Sequence, residues 1–179
     1  MTKDELRKKY LTIRHNIKDK KEQSLNIINE LIRKDYFIDS NTIALYSSLE
    51  DEVDTTLLIN MCILLEKKVC LPKVIDNKHM EFYYINSIED LIPGKFNVLE
   101  PNTNELVNIK DIDLMILPGV VFDTYNNRIG YGKGYYDNYL SKPHYCKKVA
   151  LSFKETIIDE IPTTNYDVTL DEIIIPPKI

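Results

Sequence analysis

From Thr42 to the end of the chain, short apolar runs alternate with helical stretches, and this alternation limits the fold more than any other feature. A strand buried on both faces reads as a continuous apolar run, and strands separated by helices pair in parallel beneath those helices. Thr42-Ile-Ala-Leu-Tyr46 reads as the first strand, Thr55 to Lys67 as a helix begun by Asp54, and Lys68-Val-Cys-Leu-Pro72 as the second strand. Met80-Glu-Phe-Tyr-Tyr-Ile85 is a further strand, followed by a loop-rich stretch to Pro101. Asp113 to Leu117, Lys148 to Ser152 and Glu172 to Ile175 supply the remaining strands, and Tyr135 to Leu140 a helix. The pattern predicts a single α/β domain over residues 1–179, three layers deep, with a largely parallel sheet and helices on both faces.

Two helices precede the first strand. Thr2-Lys-Asp-Glu5 has the form of a capping box, and Leu6, Tyr10, Ile13 and Ile17 recur at three- and four-residue steps behind it. Lys3 and Arg7 share one face of its first turns. A second helix is expected from Lys21 to Lys34 with Leu25, Ile28, Leu31 and Ile32 inward.

Composition excludes several classes of partner. Apolar runs such as Leu114 to Leu117 and Ile173 to Ile175 are far too short to span a bilayer, and the charged N-terminus does not read as a signal. Cys62, Cys70 and Cys146 are widely spaced, with neither a CxxC pair nor an even count, so packed, reduced thiols are expected. These features describe a cytoplasmic protein without a membrane partner, expected to act as a monomer. Net charge is −5, with ten basic and five acidic side chains concentrated in residues 1–34. An acidic body argues against nucleic acid. The basic start has two readings, a solvated helical face or a set of cations offered to an anionic ligand.

In open α/β sheets ligands bind beyond the carboxyl ends of the strands, which selects Ser47 to Thr55, Pro72 to Met80 and Gly119 to Asp137. The third loop holds four of the chain's five glycines and runs Arg128-Ile-Gly130-Tyr-Gly132-Lys-Gly134-Tyr-Tyr-Asp137. Glycine backbone approaches phosphate oxygens closely, a following helix adds its positive end, and Arg128 and Lys133 bring mobile charge. The spacing matches neither the GK[ST] pattern nor GxGxxG, so a phosphate cradle and a tight turn packed on the sheet both remain open. Asp137 reads either as a Mg²⁺ ligand or as a first-turn carboxylate. Glu52 is either a solvated acid or an acceptor for N–H donors of a heterocycle, and Met80 either core or an apolar wall for such a ligand. Asp167 and Asp171 are surface acids or a second metal carboxylate, and His15, His79 and His144 carry no ligand spacing.

Taken together, Lys3-x-x-Leu6-Arg7, Asp51-Glu-Val-Asp-Thr55, Leu71-Pro72, Pro118-Gly-Val-Val-Phe-Asp123 and Arg128-x-Gly-x-Gly-x-Gly-Tyr-Tyr-Asp137 resemble the 5-formyltetrahydrofolate cyclo-ligase family. The resemblance runs nearly end to end. It implies ATP- and Mg²⁺-dependent conversion of 5-formyltetrahydrofolate to 5,10-methenyltetrahydrofolate, through phosphorylation of the formyl oxygen, with release of ADP and phosphate. It further implies that Lys3, Arg7 and Arg128, Ile129, Gly130, Tyr131, Gly132, Lys133, Gly134, Tyr135 and Tyr136 bind ATP, with Arg128 and Lys133 catalytic. Asp137 and Asp167 would hold Mg²⁺, and Glu52, Met80 and Tyr135 would lie against the folate. The chain departs from the family at Tyr131, where a second arginine is common. The same pocket would also suit a nucleotide- or folate-binding regulator without turnover, and a sugar-phosphate isomerase on a related scaffold would turn over with no nucleotide.

Overall fold

A computed structural model describes residues 1–178. The Thr2 capping box forms as expected and starts α1 (Lys3–His15). The second helix divides: α2 (Lys20–Ile32) ends early and a short α3 (Asp35–Asp39) follows. Leu25 faces solvent rather than the core, while Gln23 and Ser24 turn inward. These polar side chains are buried because they are paired, the Gln23 amide with Glu155 and the Ser24 hydroxyl accepting from the Asp54 N–H.

Next come β1 (Thr42–Ala44), α4 (Thr56–Leu64), β2 (Lys68–Val74) and β3 (Met80–Ile85). The N-cap position of α4 is Thr55, one residue after the predicted Asp54, but the Thr55 side chain makes no cap hydrogen bond, and it is the Asp54 carboxylate that accepts the Thr56 N–H at 2.9 Å. The stretch expected to be loop contains a hairpin, β4 (Leu91–Pro93) and β5 (Leu99–Pro101). After β6 (Leu114–Leu117) the predicted glycine loop begins as a second hairpin, β7 (Val121–Asp123) with β8 (Arg128–Ile129), before α5 (Tyr135–Tyr139). The chain ends with β9 (Lys147–Leu151), β10 (Ile157–Ile158) and β11 (Glu172–Ile174).

The central sheet has the order β11-β9-β6-β1-β2-β3, parallel except for β3, which closes a hairpin with β2. Alternate residues feed opposite layers. Ile43, Val69, Leu71, Ile116 and Val149 pack with Ile27, Leu31, Phe37 and Leu58 from the helices on one face. Ala44, Cys70, Met115, Leu117 and Ala150 meet Tyr139, Leu140 and the Val107–Ile112 segment on the other. The three cysteines are free and buried, as packed thiols should be.

Helix α1 lies over a separate sheet, β10-β7-β8, through Leu6, Val121, Ile129 and Ile161. That sheet is tied by Asp123, which is 1 % exposed. Its carboxylate accepts the Tyr125 and Asn127 N–H groups at 2.9 Å, the Asn127 amide at 3.2 Å and the Ile161 N–H at 2.9 Å. Asp123→Asn puts an NH₂ against these donors, and losing a buried charged acceptor typically costs about 2–3 kcal/mol. Equilibrium urea unfolding should show that loss; an unchanged free energy of unfolding would remove Asp123 from this role.

Candidate active site

Strands β1 and β6 lie side by side and parallel, but the chain leaves their carboxyl ends toward opposite halves of the sheet. That reversal opens a crevice, and a cavity of about 570 Å³ occupies it. Tyr46, Leu49 and Glu52 come from the loop after β1, Pro118 follows β6, and Val74 and Met80 flank the β2–β3 turn. The cavity also brings together Lys3, Arg7, Glu52, Met80, Arg128 through Asp137, and Asp167, whereas Asp171, the other acid offered as a metal carboxylate, lies outside it and accepts the Lys148 N–H at 2.7 Å.

One end is cationic. Arg7 donates from Nε to the Gly130 carbonyl at 2.7 Å and pairs with Asp4, and Lys3 pairs with Asp167. Gly132 sits at φ +90 and Gly134 at φ +72. A Cβ at Gly132 would meet the Arg7 guanidinium carbon at 3.3 Å, so the glycine permits both the backbone turn and the approach of α1. Helix α5 is only five residues long, so positive charge at this end comes from side chains far more than from a helix dipole. Burial pushes the Asp167 carboxyl up, but the Lys3 ammonium and the Thr164 N–H outweigh it and hold the group below the usual carboxylate range.

Arg128 differs from its sequence reading. Its side chain is 7 % exposed, donates to the Pro118 carbonyl at 2.9 Å and lies 5.3 Å from the centre of the Tyr136 ring. Burial pulls its pKa down, and Asp137, Tyr136 and Asp167 oppose that pull. The guanidinium is thus a fixed charge beneath the loop, whereas exposed Lys133, 5.6 Å from the Phe96 ring centre, is the mobile one. Asp137 lies 4.0 Å from Arg128 and accepts the Val168 N–H at 3.2 Å, which ties the start of α5 beside Asp167.

The other end centres on Glu52, 7 % exposed. Oε1 accepts the Leu49 N–H at 2.7 Å and Oε2 accepts from the Tyr131 hydroxyl at 3.1 Å. Burial raises the Glu52 pKa, opposed by the Leu49 N–H, Arg14 and Tyr131. Tyr131 is 40 % exposed as a residue, but its hydroxyl reaches inward and accepts from Arg14 Nη2 at 2.8 Å.

Sequence reasoning missed Arg14, Tyr46, Phe96 and Glu100. Phe96 and Glu100 stand on the β4–β5 hairpin, where Glu100 accepts the Val74 N–H at 2.7 Å and fastens the hairpin over the cavity. The signal was Gly94, the one glycine outside the cluster. A Cβ there would fall 2.1 Å from Glu100 Oε1, so only glycine lets that side chain cross the turn. Gly119 is likewise a packing glycine, its Cβ position 2.6 Å from the Phe122 ring, and it does not line the cavity.

A sequence model of the 5-formyltetrahydrofolate cyclo-ligase family matches residues 1–176. The chain belongs to the 5-formyltetrahydrofolate cyclo-ligase family. It is 33 % identical over 166 residues to a Mus musculus 5-formyltetrahydrofolate cyclo-ligase, covering 85 % of this chain and 81 % of the relative. A solved Aquifex aeolicus 5,10-methenyltetrahydrofolate synthetase superposes with TM-score 0.86 and 35 % identity over 97 % of this chain and 89 % of the other. A Mycoplasma pneumoniae 5,10-methenyltetrahydrofolate synthetase gives TM-score 0.81 and 26 % identity over 99 % and 100 %. The cyclo-ligase is an ATP-dependent ligase, and the mostly parallel α/β fold is that of its structural neighbours.

Since the cyclo-ligase loop needs a positive φ at Gly132, Gly132→Ala is expected to lower stability by about 1–2 kcal/mol. Chemical denaturation checks this; a midpoint equal to the parent's would mean that the loop does not hold this turn in solution.

Proposed function

We propose that residues 1–179 form one catalytic domain that aligns 5-formyltetrahydrofolate and ATP within the cavity of about 570 Å³, with phosphate at the cationic loop and the pterin toward Glu52. The observation that carries this reading is the lining of one cavity by the cations Lys3, Arg7, Arg128 and Lys133 together with the buried Glu52 acceptor and Met80.

In this reading the formyl oxygen attacks the γ-phosphorus and the bond to the β-phosphate oxygen breaks, leaving ADP. The second folate nitrogen then attacks the activated formyl carbon, and the phosphorylated oxygen departs as phosphate while the ring closes. Phosphoryl transfer asks mainly for alignment and charge neutralisation. Arg128 meets that demand as a preorganised charge, because its bond to Pro118 already fixes it. Lys133 supplies a charge able to follow the transferred group, Arg7 holds the loop backbone through Gly130, and Tyr135 and Tyr136 wall the space between the two substrates.

Mg²⁺ is tested against the donors present. No group of three or more His, Cys, Asp or Glu suited to a metal occurs among the described residues. Mg²⁺, however, is commonly held by one or two carboxylates while keeping water and phosphate ligands. Asp137 and Asp167 meet that requirement, since both line the cavity beside Arg128 and Lys3. Bound there with the nucleotide, the ion would supply neutralising charge to the phosphate oxygens.

The protein is further proposed to work as a cytoplasmic monomer without nucleic-acid or membrane partners, in keeping with its acidic body and packed thiols. Among the described residues no helix is long and apolar enough to cross a membrane.

With 5-formyltetrahydrofolate, ATP and Mg²⁺, methenyltetrahydrofolate absorbance and ADP should rise together in equal amounts; product formed without ATP would overturn the reading. Lys133→Ala is expected to lower kcat/KM for ATP by about tenfold to a hundredfold, the range of a lost charged hydrogen bond. Asp137→Asn should raise the Mg²⁺ concentration needed for half-maximal rate, and an unshifted Mg²⁺ titration would return Asp137 to its tie with Val168.

A further inference from the structure

Arg14 is 4 % exposed, yet it carries a charge and lies outside the large cavity. Burying a guanidinium without a partner carboxylate is costly, and no carboxylate lies within 4.0 Å of it among the described residues. Its polar contacts are the Gly119 carbonyl, reached from Nη1 at 3.2 Å, and the Tyr131 hydroxyl, reached from Nη2 at 2.8 Å, while Nε has no hydrogen-bond partner. The compensating charge is Glu52, one hydroxyl further on.

The direction of this chain is fixed by chemistry. A guanidinium only donates, so the Tyr131 oxygen accepts from Arg14 and its single proton is left to point at Glu52. Burial, then the neighbouring Glu52, push the Tyr131 hydroxyl up to about 12, so it keeps that proton at neutral pH. A carboxyl group that receives Tyr131 and the Leu49 N–H is held as an acceptor, with its remaining lone pairs free. The gap behind Glu52, between Arg14, Tyr46, Gly119, Ser152 and Thr156, measures about 10 Å³, too little for bulk solvent to screen the two charges from one another.

We propose that Arg14 is a positioning residue for the folate end of the site, acting through the Tyr131 hydroxyl to hold the Glu52 carboxylate aimed at N–H donors of the substrate. The ligand chemistry this selects is a pair of adjacent N–H groups on a planar heterocycle. The proposal rests on the reading of Glu52 as the folate acceptor. It assigns Tyr131, placed by its neighbours in the phosphate loop, a side chain that serves the opposite end of the cavity.

The groups facing Glu52 are Arg14 from α1, Tyr131 from the glycine loop, Tyr46 beyond β1 and Tyr136 from α5, and Arg14 is the one cation among the four. Glu52 is already pushed up by burial, and Arg14 opposes that push. Removing Arg14 therefore moves the Glu52 titration further up, and folate binding is lost at a higher pH as the solution is acidified.

The test compares Arg14→Met, Tyr131→Phe, their combination and Glu52→Gln by steady-state kinetics, with folding checked by thermal unfolding. Arg14→Met and Tyr131→Phe should each raise KM for the reduced folate by about tenfold, the loss of one charged hydrogen bond, while KM for ATP stays within about twofold. The combined variant should be no worse than Arg14→Met alone, because both act through one link. The acid limb of kcat/KM for folate should move to higher pH in Arg14→Met. Tyr131→Phe removes a single oxygen, so it keeps the proposal testable if Arg14→Met does not fold. A folate KM unmoved in Tyr131→Phe, an equal rise in the ATP KM, or single effects that multiply in the combined variant would overturn the relay. If Glu52→Gln leaves folate KM at the parent value, the assignment of Glu52 falls first; if Glu52→Gln is impaired and the other two are not, the relay alone falls.

Discussion

Asp123 accepts backbone donors from Tyr125, Asn127 and Ile161, so the β7–β8 hairpin can take only one position against the chain that follows β10. The consequences spread outward from that carboxylate. Strand β8 places Arg128, whose guanidinium reaches the Pro118 carbonyl at the end of β6 and so joins the small sheet to the large one. The glycine turn then starts from a fixed point, and α1 packs through Leu6 on the same hairpin. A glycine-rich segment is costly to order because its unfolded chain has so many conformations. Here it is ordered from both sides, by Arg128 below and Arg7 beside it.

Once α1 is docked, the position of its cations follows from helical geometry. Lys3, Arg7 and Arg14 recur at four- and seven-residue steps, one stripe of the helix, spanning about 16 Å at 1.5 Å per residue. Each meets a different part of the site: Asp167, the Gly130 carbonyl, and the Gly119 carbonyl with Tyr131. The basic excess of the first 34 residues therefore divides. This stripe faces the cavity and the hairpin, while Lys8 and Lys9 remain exposed, as a solvated helical face would.

Much of this was legible in the sequence because the signals were local. The strands β1, β2, β6 and β9 are apolar runs buried on both faces, and the capping box at Thr2 is a four-residue pattern. Apart from Gly94, nothing in the sequence marks the hairpin over the cavity: its strands are three residues each and end on prolines, and its turn depends on positive φ at Phe96 and Asn97, neither of them glycine. No periodicity can mark such a segment, and its position is set by Glu100 reaching Val74 across the fold. Leu25 misled because helical spacing identifies an apolar face without saying which polar side chains find buried partners, and Gln23 and Ser24 found theirs. Arg128 was read as mobile because burial of a charge becomes visible only when the carbonyl and the aromatic ring that receive it are in place.

Tyr131 shows most clearly why residue-by-residue transfer along a motif has a limit. Its backbone belongs to the glycine turn, but its side chain leaves that turn and ends between Arg14 and Glu52, residues 117 and 79 positions away. An arginine at 131 would carry its own charge toward the cavity, whereas a tyrosine carries none and instead transmits one from α1. The positive charge is thereby moved from the loop to the helix, where burial shields it from solvent and Gly119 fixes it. Because the guanidinium can only donate, the hydroxyl proton has one destination. In the proposed reading the departure at Tyr131 leaves the phosphate to Arg7, Arg128 and Lys133, and joins the loop to the Glu52 carboxylate.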